Sequence, residues 1–471
     1  MKKLTTTTFL LLLFLNVISQ ITFEKSYDGS NGHDVVTTPD GGYLAVGSIT
    51  GESDGNLYIV RTDEYGNVMW VKDIDMGLNE SAHSVIKNQE NNYIITGNSY
   101  IVSGSELISH VFLLEINDNG DVLWSQLYES PTEEKAFQVI QSSEGGYLIV
   151  GSVFTETSRD AYAMKTDPQG NIEWNNLILQ EEFNDVAKSG IEIDNGNYLI
   201  ACINRLAHET LESELCFIEL DPNGNILNTH SIDNAYYEEP SEIIKTSDGG
   251  YILTGKQFLI SNGESQLFVL KLQENLTNEW IYTYDDEIKS EGNQIIESPQ
   301  GDYIICGSKE TGIYERDDFF LMKLNSIGEL DWERTFGSDG ADIGRGLEQT
   351  SDQGFILCGQ YAANYTTSYY DLYLVKTDPD GIVTDIHSTE QTVNSFKVYP
   401  NPVLDKLLVE IMEDKTSFSS LEIMNSKGSI IFQKEATDNI LEIDVSEFPA
   451  GIYYIKVFSN AIAETLKFVK L

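Results

Sequence analysis

The chain has 471 residues, with 29 Lys+Arg set against 75 Asp+Glu, for a formal net charge of −46 at pH 7. A field this acidic repels nucleic acid and anionic lipid surfaces and favours solubility and cation association, so no nucleic-acid partner is expected. No segment approaches the roughly 18 continuous apolar residues of a transmembrane helix.

The first expected element is a leader. Lys2 and Lys3 precede an apolar run from Phe9 to Val17 broken only by Asn16, and Val17-Ile18-Ser19 ends in a small residue. This is the layout of a secretory signal peptide over residues 1–19, cleaved before Gln20, and its apolar run is too short to span a bilayer. The remaining chain exceeds the roughly 250–300 residues at which one hydrophobic core stops growing, so several cores are expected. With Tyr 25, Phe 20, Trp 5 and Gly 37 but Pro only 10, the composition suits strands and turns rather than helices.

After the leader comes a repeat. Aligned on a turn followed by an apolar run, its aromatics are Tyr43, Tyr93, Tyr147, Tyr198, Tyr251, Tyr303 and Phe355, spaced 50, 54, 51, 53, 52 and 52 residues apart. So regular a period means stacked or radially arranged supersecondary units. Each unit reads as four short strands, in the first Asp34–Thr38, Tyr43–Ser48, Leu57–Thr62 and Val68–Ile74. Between the third and fourth strands recur Asp63-Glu-Tyr-Gly66, Asp167-Pro-Gln-Gly170, Asp221-Pro-Asn-Gly224 and Asp378-Pro-Asp-Gly381, the residues a type I turn prefers. Four residues past the end of the turn stands Trp70, Trp124, Trp174, Trp280 or Trp332, replaced by Asn228 in the fourth unit and Asp385 in the seventh. A tryptophan once per unit is an anchor between neighbouring sheets.

Seven four-stranded units predict an all-β fold, a seven-bladed β-propeller over residues 20–388, with a linear β-solenoid as the competitor. Closure favours the ring. Thr22-Phe-Glu-Lys-Ser-Tyr-Asp-Gly29 lacks a unit of its own and is similar to Asp331-Trp-Glu-Arg-Thr-Phe-Gly337, so it can supply the fourth strand of the seventh unit. The units resemble the delta-60-type, or Asp-Gly-Gly-Tyr, propeller repeat of secreted bacterial proteins. The likeness rests on Asp40-Gly-Gly-Tyr43, Asp248-Gly-Gly-Tyr251 and Arg61–Trp70. It implies architecture and leaves function open, because propellers host enzymes, lectins and scaffolds alike.

Beyond a linker at 389–395 the period is lost. Residues 396–471 carry eight Lys and eleven Asp/Glu, net −3, so −43 of the charge lies on residues 1–395. Short alternating strands predict a small Ig-like β-sandwich. Tyr399-Pro400-Asn401-Pro402, then Gly451 and Tyr453 in Ala450-Gly-Ile-Tyr-Tyr454, then Lys467 and Lys470 in the final basic-apolar run resemble the type A C-terminal sorting domain of type IX secretion. That resemblance implies handling by the type IX machinery of a diderm bacterium. It also implies export across the outer membrane, frequent removal of the domain, and a passenger released or held on surface lipopolysaccharide. The alternative is an Ig-like binding module.

Conventional catalytic and metal motifs are missing. His33, His83, His110, His208, His230 and His387 show no metal spacing, and there is neither a Cys-x-x-Cys nor a Gly-x-Ser-x-Gly. No catalytic residue, metal ligand or cofactor is expected. Asp63–Asn67 and Asn117–Asp121 are similar to calcium loops but lack the distal Glu, and hairpin chemistry already accounts for them. Cys306 and Cys358 share a repeat position with Val46, Thr96, Val150 and Thr254, as small core residues do; Cys202 and Cys216 form the one plausible bridge, against which stand buried free thiols.

One constellation is left. First strands of a propeller start near its channel, and there one position reads His33, His83, Phe137, Lys188, Ser241, Asn293, Gly344, and the next Asp34, Ser84, Gln138, Ser189, Glu242, Gln294, Arg345. Deeper positions stay apolar at Val36, Ile86, Ile140, Ile191, Ile244 and Ile296. Divergent polar residues at a funnel mouth can build a site, or can simply solvate the channel. The candidate ligand-binding set is His33, Asp34, His83, Lys188, Glu242, Asn293 and Arg345. The leading expectation is a monomeric, non-catalytic binding or adhesion module for a glycan or protein ligand, secreted or held on the cell surface. The alternatives are a secreted carbohydrate-active enzyme using His33, Asp34, Glu242 and Arg345, and a structural surface-coat repeat.

Overall fold

The computed structural model describes residues 20–384 and 396–470, short loop segments excepted, and the chain divides into two compact units, Met1–His387 and Ser388–Leu471. The expected leader, linker and Asp385 lie outside the described residues. The described residues are mostly β-strand joined by turns, and no helix among them is long and apolar enough to cross a membrane.

The first unit contains, among its described residues, seven four-stranded antiparallel sheets. Sheet 1 is built from Ser30–Thr37, Tyr43–Ile49, Leu57–Thr62 and Val68–Ile74, paired in chain order. Its first strand starts four residues earlier than the sequence suggests, because Ser30–Gly32 pairs onward with Gly47–Ile49 across a bulge. Sheets 2 to 6 repeat the order over residues 79–128, 134–178, 186–232, 237–283 and 290–336. Sheet 7 takes Ile343–Gln349, Phe355–Tyr361 and Asp371–Thr377 from the end of the repeat, and its fourth strand is Phe23–Tyr27, running from Phe23↔Lys376 to Tyr27↔Leu372. The unit is thus fastened by its own N-terminal segment.

The cores lie between the sheets. Val46, Leu57 and Ile59 of sheet 1 pack with Ala82, Ile95 and Phe112 of sheet 2, and similar clusters follow at each successive junction. The last sheet packs on the first, where Phe23, Ile356 and Leu374 meet Val35, Ala45 and Val60. Second and third strands are buried on both faces, as their continuous apolar runs require, whereas the fourth strands keep exposed positions.

The repeated motifs turn out to be joints. Asp40 of Asp40-Gly-Gly-Tyr43 accepts from the buried Arg61 at 2.6 Å, and Asp248 holds Lys271 at 2.8 Å in the same way. Asp63 spends its carboxylate on its own turn, accepting from Tyr65 N at 2.9 Å and Asn67 N at 2.8 Å. Trp70 lies over Gly120 of the next sheet and Trp174 over Gly224; a Cβ on either glycine would come within 2.9 Å or 2.6 Å of the indole, besides sitting at φ +74° or +81°. Where sheet 4 has the exposed Asn228 in place of tryptophan, sheet 5 has Leu276 in place of the glycine, at φ 65° and packed on the core between those sheets. The apolar contact is kept, supplied from the other side of the junction.

The second unit contains a three-stranded sheet of Phe396–Tyr399, Lys406–Ile411 and Ile440–Asp444, and a four-stranded sheet ordered Ile430–Glu435, Phe418–Asn425, Gly451–Ser459, Ala463–Lys470. Val403, Leu407, Val409, Leu421, Ile423, Ile443 and Ile455 fill its core.

Candidate functional site

Every first strand of the seven sheets carries a bulge, and the bulges fall at equivalent places. The register shifts between Gly32 and Asp34, Ala82 and Ser84, Ala136 and Gln138, Ala187 and Ser189, Pro240 and Glu242, Gly292 and Gln294, and Gly344 and Gly346. The residue passed over is His33, His83, Phe137, Lys188, Ser241, Asn293 or Arg345. A bulged residue has no ladder partner and is re-aimed out of the sheet plane. Here all seven are half-buried and line one cavity of about 650 Å³.

The seventh unit therefore needs a correction. Arg345, not Gly344, is the equivalent of His33, and Gly346 takes the place of Asp34. Glycine suits that place because a Cβ on Gly346 would come within 2.9 Å of the Asp34 Cα.

The two layers behave differently. In the second, each side chain reaches to a backbone amide of the following sheet. Asp34 Oδ2 accepts from Val85 N at 2.8 Å, Gln138 Oε1 from Gly190 N at 2.7 Å, Ser189 Oγ from Ile243 N at 3.1 Å, and Glu242 Oε2 from Ile295 N at 2.7 Å. Gln294 Oε1 accepts from Leu347 N, and Ser84 Oγ makes a long 3.4 Å contact with Val139 N. Asp34 and Glu242, nominated as ligand residues, thus belong to a belt that fastens sheet to sheet. Their second oxygens are also engaged, Asp34 Oδ1 by Val35 N at 2.9 Å and Glu242 Oε1 by Gln294 Nε2 at 3.3 Å. Burial pushes the Asp34 carboxyl up to about 7 and that of Glu242 up to about 8, against the lowering effect of these donors.

The bulge layer holds the less committed groups. His33 and His83 lie with ring centroids 5.5 Å apart, and His83 stacks on Phe137 at 6.5 Å. Lys188 Nζ sits 4.7 Å from the centre of the Phe137 ring, within cation–π range. His83 Nδ1 is 2.6 Å from the Ala136 carbonyl, a contact in which Nδ1 carries the proton. Burial, with the Arg345 charge nearby, holds His33 well below its ordinary value; burial chiefly takes His83 down to about 4, so both imidazoles are neutral at neutral pH. Asn293 donates to Gly344 O at 2.7 Å, and Arg345 Nη2 to Gln360 Oε1 at 3.2 Å. Beyond these layers the lining is aliphatic, at Val36, Ile86, Ile140, Ile191 and Ile244.

Two features escaped the sequence reading. Glu348 takes the aliphatic place in sheet 7 and accepts from the Thr37 hydroxyl at 2.9 Å and from the Thr37 amide. Three residues before each bulge stands a buried polar residue, among them Glu80, Glu134, Asp185, Glu238 and Asp342. Asp342 accepts from Ser338 N at 2.6 Å and Ala362 N at 2.8 Å, so it serves the local loops.

In the second unit, Tyr399 closes its strand and is exposed, and Tyr453 is buried with its hydroxyl donating to Pro449 O at 2.7 Å. Gly451 pairs with the buried Lys470 and Lys467 with Tyr454, while Pro400, Asn401 and Pro402 lie outside the described residues.

Residues 397–471 match the family described as the secretion system C-terminal sorting domain. The chain is therefore cargo of type IX secretion, delivered to the cell surface or released. No curated protein matches it. Among solved structures it is similar to PorZ, described as an essential surface component of the type-IX secretion system of Porphyromonas gingivalis, at 12% identity over 92% of this chain and 58% of that one, TM-score 0.40. It is also similar to a puromycin hydrolase, at 10% identity over 82% and 59%, TM-score 0.47, and to Sqt1 of Chaetomium thermophilum, at 10% over 75% and 97%, TM-score 0.41. The chain thus spans 58% and 59% of the first two. Likeness at this level says nothing about a ligand.

Proposed function

We propose that residues 20–388 form a seven-bladed β-propeller of Asp-Gly-Gly-Tyr type that acts as a non-catalytic binding or adhesion module. Its ligand is a glycan or a protein, taken in the central cavity. Residues 396–471 are its type A sorting domain, an Ig-like sandwich beyond the linker at 389–395. The observation that carries the binding reading is the convergence of seven bulge residues of six kinds on one cavity, while the layer behind them holds the sheets together.

The same division counts against turnover. A general acid or base needs a lone pair or proton free to meet substrate. Both oxygens of Asp34 and of Glu242 are already engaged with protein donors. What remains at the bulges is cationic, aromatic and amide, which suits recognition.

The test is calorimetry and thermal shift on the purified chain against a panel of polysaccharides and oligosaccharides, repeated with Ser241→Trp, which fills the cavity from a small position. Saturable binding lost in the variant supports the reading. Cleavage of a labelled oligosaccharide would replace it with the enzyme. Glycan binding unaffected by Ser241→Trp would move the site off the cavity.

A further inference from the structure

Arg345 and Lys188, half-buried on the cavity wall, differ from the fully buried cations described in the first unit. Arg61 has Asp40 and Asp118, Lys165 has Glu173, Lys271 has Asp248 and Glu279, Lys309 has Glu333, and Lys376 has Asp352. Among the described residues, Arg345 and Lys188 have no ion pair. Arg345 makes one hydrogen bond, to the neutral Gln360, and its Nε is buried without an acceptor; Lys188 has only the face of Phe137. Burial lowers the pKa of both, the mark of charge held without full compensation. In a chain with 75 acidic residues and 29 basic ones, carboxylates are not scarce. Both cations nevertheless line the same cavity without one.

The surrounding carboxylates are engaged elsewhere. Glu291 and Glu239, the acids whose charges reach these cations, share Lys256 at 3.2 and 3.8 Å. Asp34 and Glu242 hold backbone amides, Glu348 holds Thr37, and burial raises all three toward the protonated form. Leaving a partly buried charge uncompensated costs stability, whereas a bound oxyanion would complete it.

We propose that the cavity takes an acidic saccharide, whose carboxylates or equivalent oxyanions are met by Arg345 and by Lys188. The sugar ring would lie on the aromatic surface of Phe137 and His83, where an apolar pyranose face stacks well. A cavity of about 650 Å³ has room for a short oligosaccharide. This inference rests on the binding reading above and adds the charge class of the ligand.

The experiment is calorimetry on the purified chain, at constant ionic strength, with three probes: trigalacturonate, its methyl-esterified neutral form, and inorganic phosphate. Arg345→Met, Lys188→Met and the charge-keeping Arg345→Lys are compared with wild type. Trigalacturonate is expected to bind, with the ester at least about tenfold weaker, the worth of one charge-assisted hydrogen bond. Each Met variant should lose about the same factor for the acid and nothing for the ester, and Arg345→Lys should keep part of it. Without ligand, both Met variants should melt no lower than wild type. Equal binding of acid and ester would overturn the anionic class while leaving glycan binding intact. Phosphate binding as tightly as the trisaccharide would overturn the saccharide. No binding by any probe, or ligand-free Met variants that melt well below wild type, would overturn the inference outright.

Discussion

The ring of Phe23 packs on the hairpin glycine Gly66, so close that a Cβ there would come within 2.7 Å of it, just as Trp70 packs on Gly120. Phe23 stands opposite Lys376 as Trp70 stands opposite Arg61, so it is the tryptophan equivalent of the seventh sheet, delivered from the other end of the chain. Closure therefore rests on a few side chains. Phe23→Ala should cost about 3–5 kcal/mol by emptying a site that is 1% exposed. Tyr27→Phe, which removes a 2.8 Å hydrogen bond to Gly66 O, should cost about 1 kcal/mol. Urea titration measures both, and a Phe23→Ala midpoint equal to wild type would mean that the strand is not part of the cooperative core.

Asn228 and Leu276 should behave as a coupled pair. Asn228→Trp alone places an indole against a leucine instead of a glycine, and Leu276→Gly alone removes an apolar contact while relieving its φ of 65°. Together they recreate the joint of Trp174 on Gly224. A double-mutant cycle should show a favourable interaction of about 1 kcal/mol or more. Additive effects would disprove the exchange of partners.

Much of this was legible because the joints are local in sequence. A turn Asp or Asn, a positive-φ glycine and a tryptophan four residues later mark the fourth strands of sheets 1, 2, 3 and 6, and the likeness of Phe23–Tyr27 to Trp332–Phe336 locates the closing strand. The candidate set was found by repeat position, and the structure brings all of it to one cavity. Two glycines flanking Arg345 hid the register of the seventh unit, although a constant ten-residue offset separates His33 from Tyr43 and Arg345 from Phe355. The role of Asp34 was not legible at all. An aspartate aimed at a ligand and one accepting from Val85 N are the same letter, and only the spatial neighbour separates them.

The buried carboxyls favour mildly acidic solution, whereas His33 and His83, kept neutral by burial, lose stability as pH falls below about 6.5, so the carboxyl effect is read from single variants. Burial raises Glu242 to about 8, Asp34 to about 7 and Asp342 to about 6 in the folded chain. Between about pH 4 and those values the unfolded carboxyls release protons that the folded ones keep, so stability falls as pH rises. Asp40 and Asp248, held near 2 against desolvation by hydrogen bonds from Thr38 and Arg61 and from Lys271 and Thr246 respectively, act in the opposite sense. Their contribution is present above about pH 4 and lost as pH falls toward 2; being half exposed, it should be small and salt-sensitive. Glu242→Gln should match wild type near pH 4.5 and exceed it at pH 8. Parallel melting curves for the two proteins across that range would contradict the assignment.

The cysteines make a simpler forecast. Cys202 and Cys216 face each other across neighbouring strands as free thiols, with Cys202 Sγ donating to Cys216 O at 3.2 Å, and all four cysteines are buried. Burial raises the Cys202, Cys306 and Cys358 thiols well above their ordinary values, so little reactive thiolate forms. A thiol reagent should find no reactive cysteine in the native chain and four after denaturation. Fast native labelling would show that the sheets open.

Delivery depends on a fold that can be weakened without touching the repeat unit. Tyr453 is 5% exposed, packs on Phe448 at 5.4 Å and donates to Pro449 O, so it ties the start of the strand Gly451–Ser459 to the turn before it. Tyr453→Ala should cost about 3–5 kcal/mol in a unit with one small core. Tyr453→Phe removes only the hydrogen bond, at about 1 kcal/mol. In a host competent for type IX secretion, deletion of residues 396–471 should leave the remainder in the periplasm. Tyr453→Ala should reduce surface or released protein strongly and Tyr453→Phe only slightly. Quantitative blotting of periplasmic, surface and medium fractions measures this, and undiminished export of the deletion would place the sorting signal elsewhere in the chain.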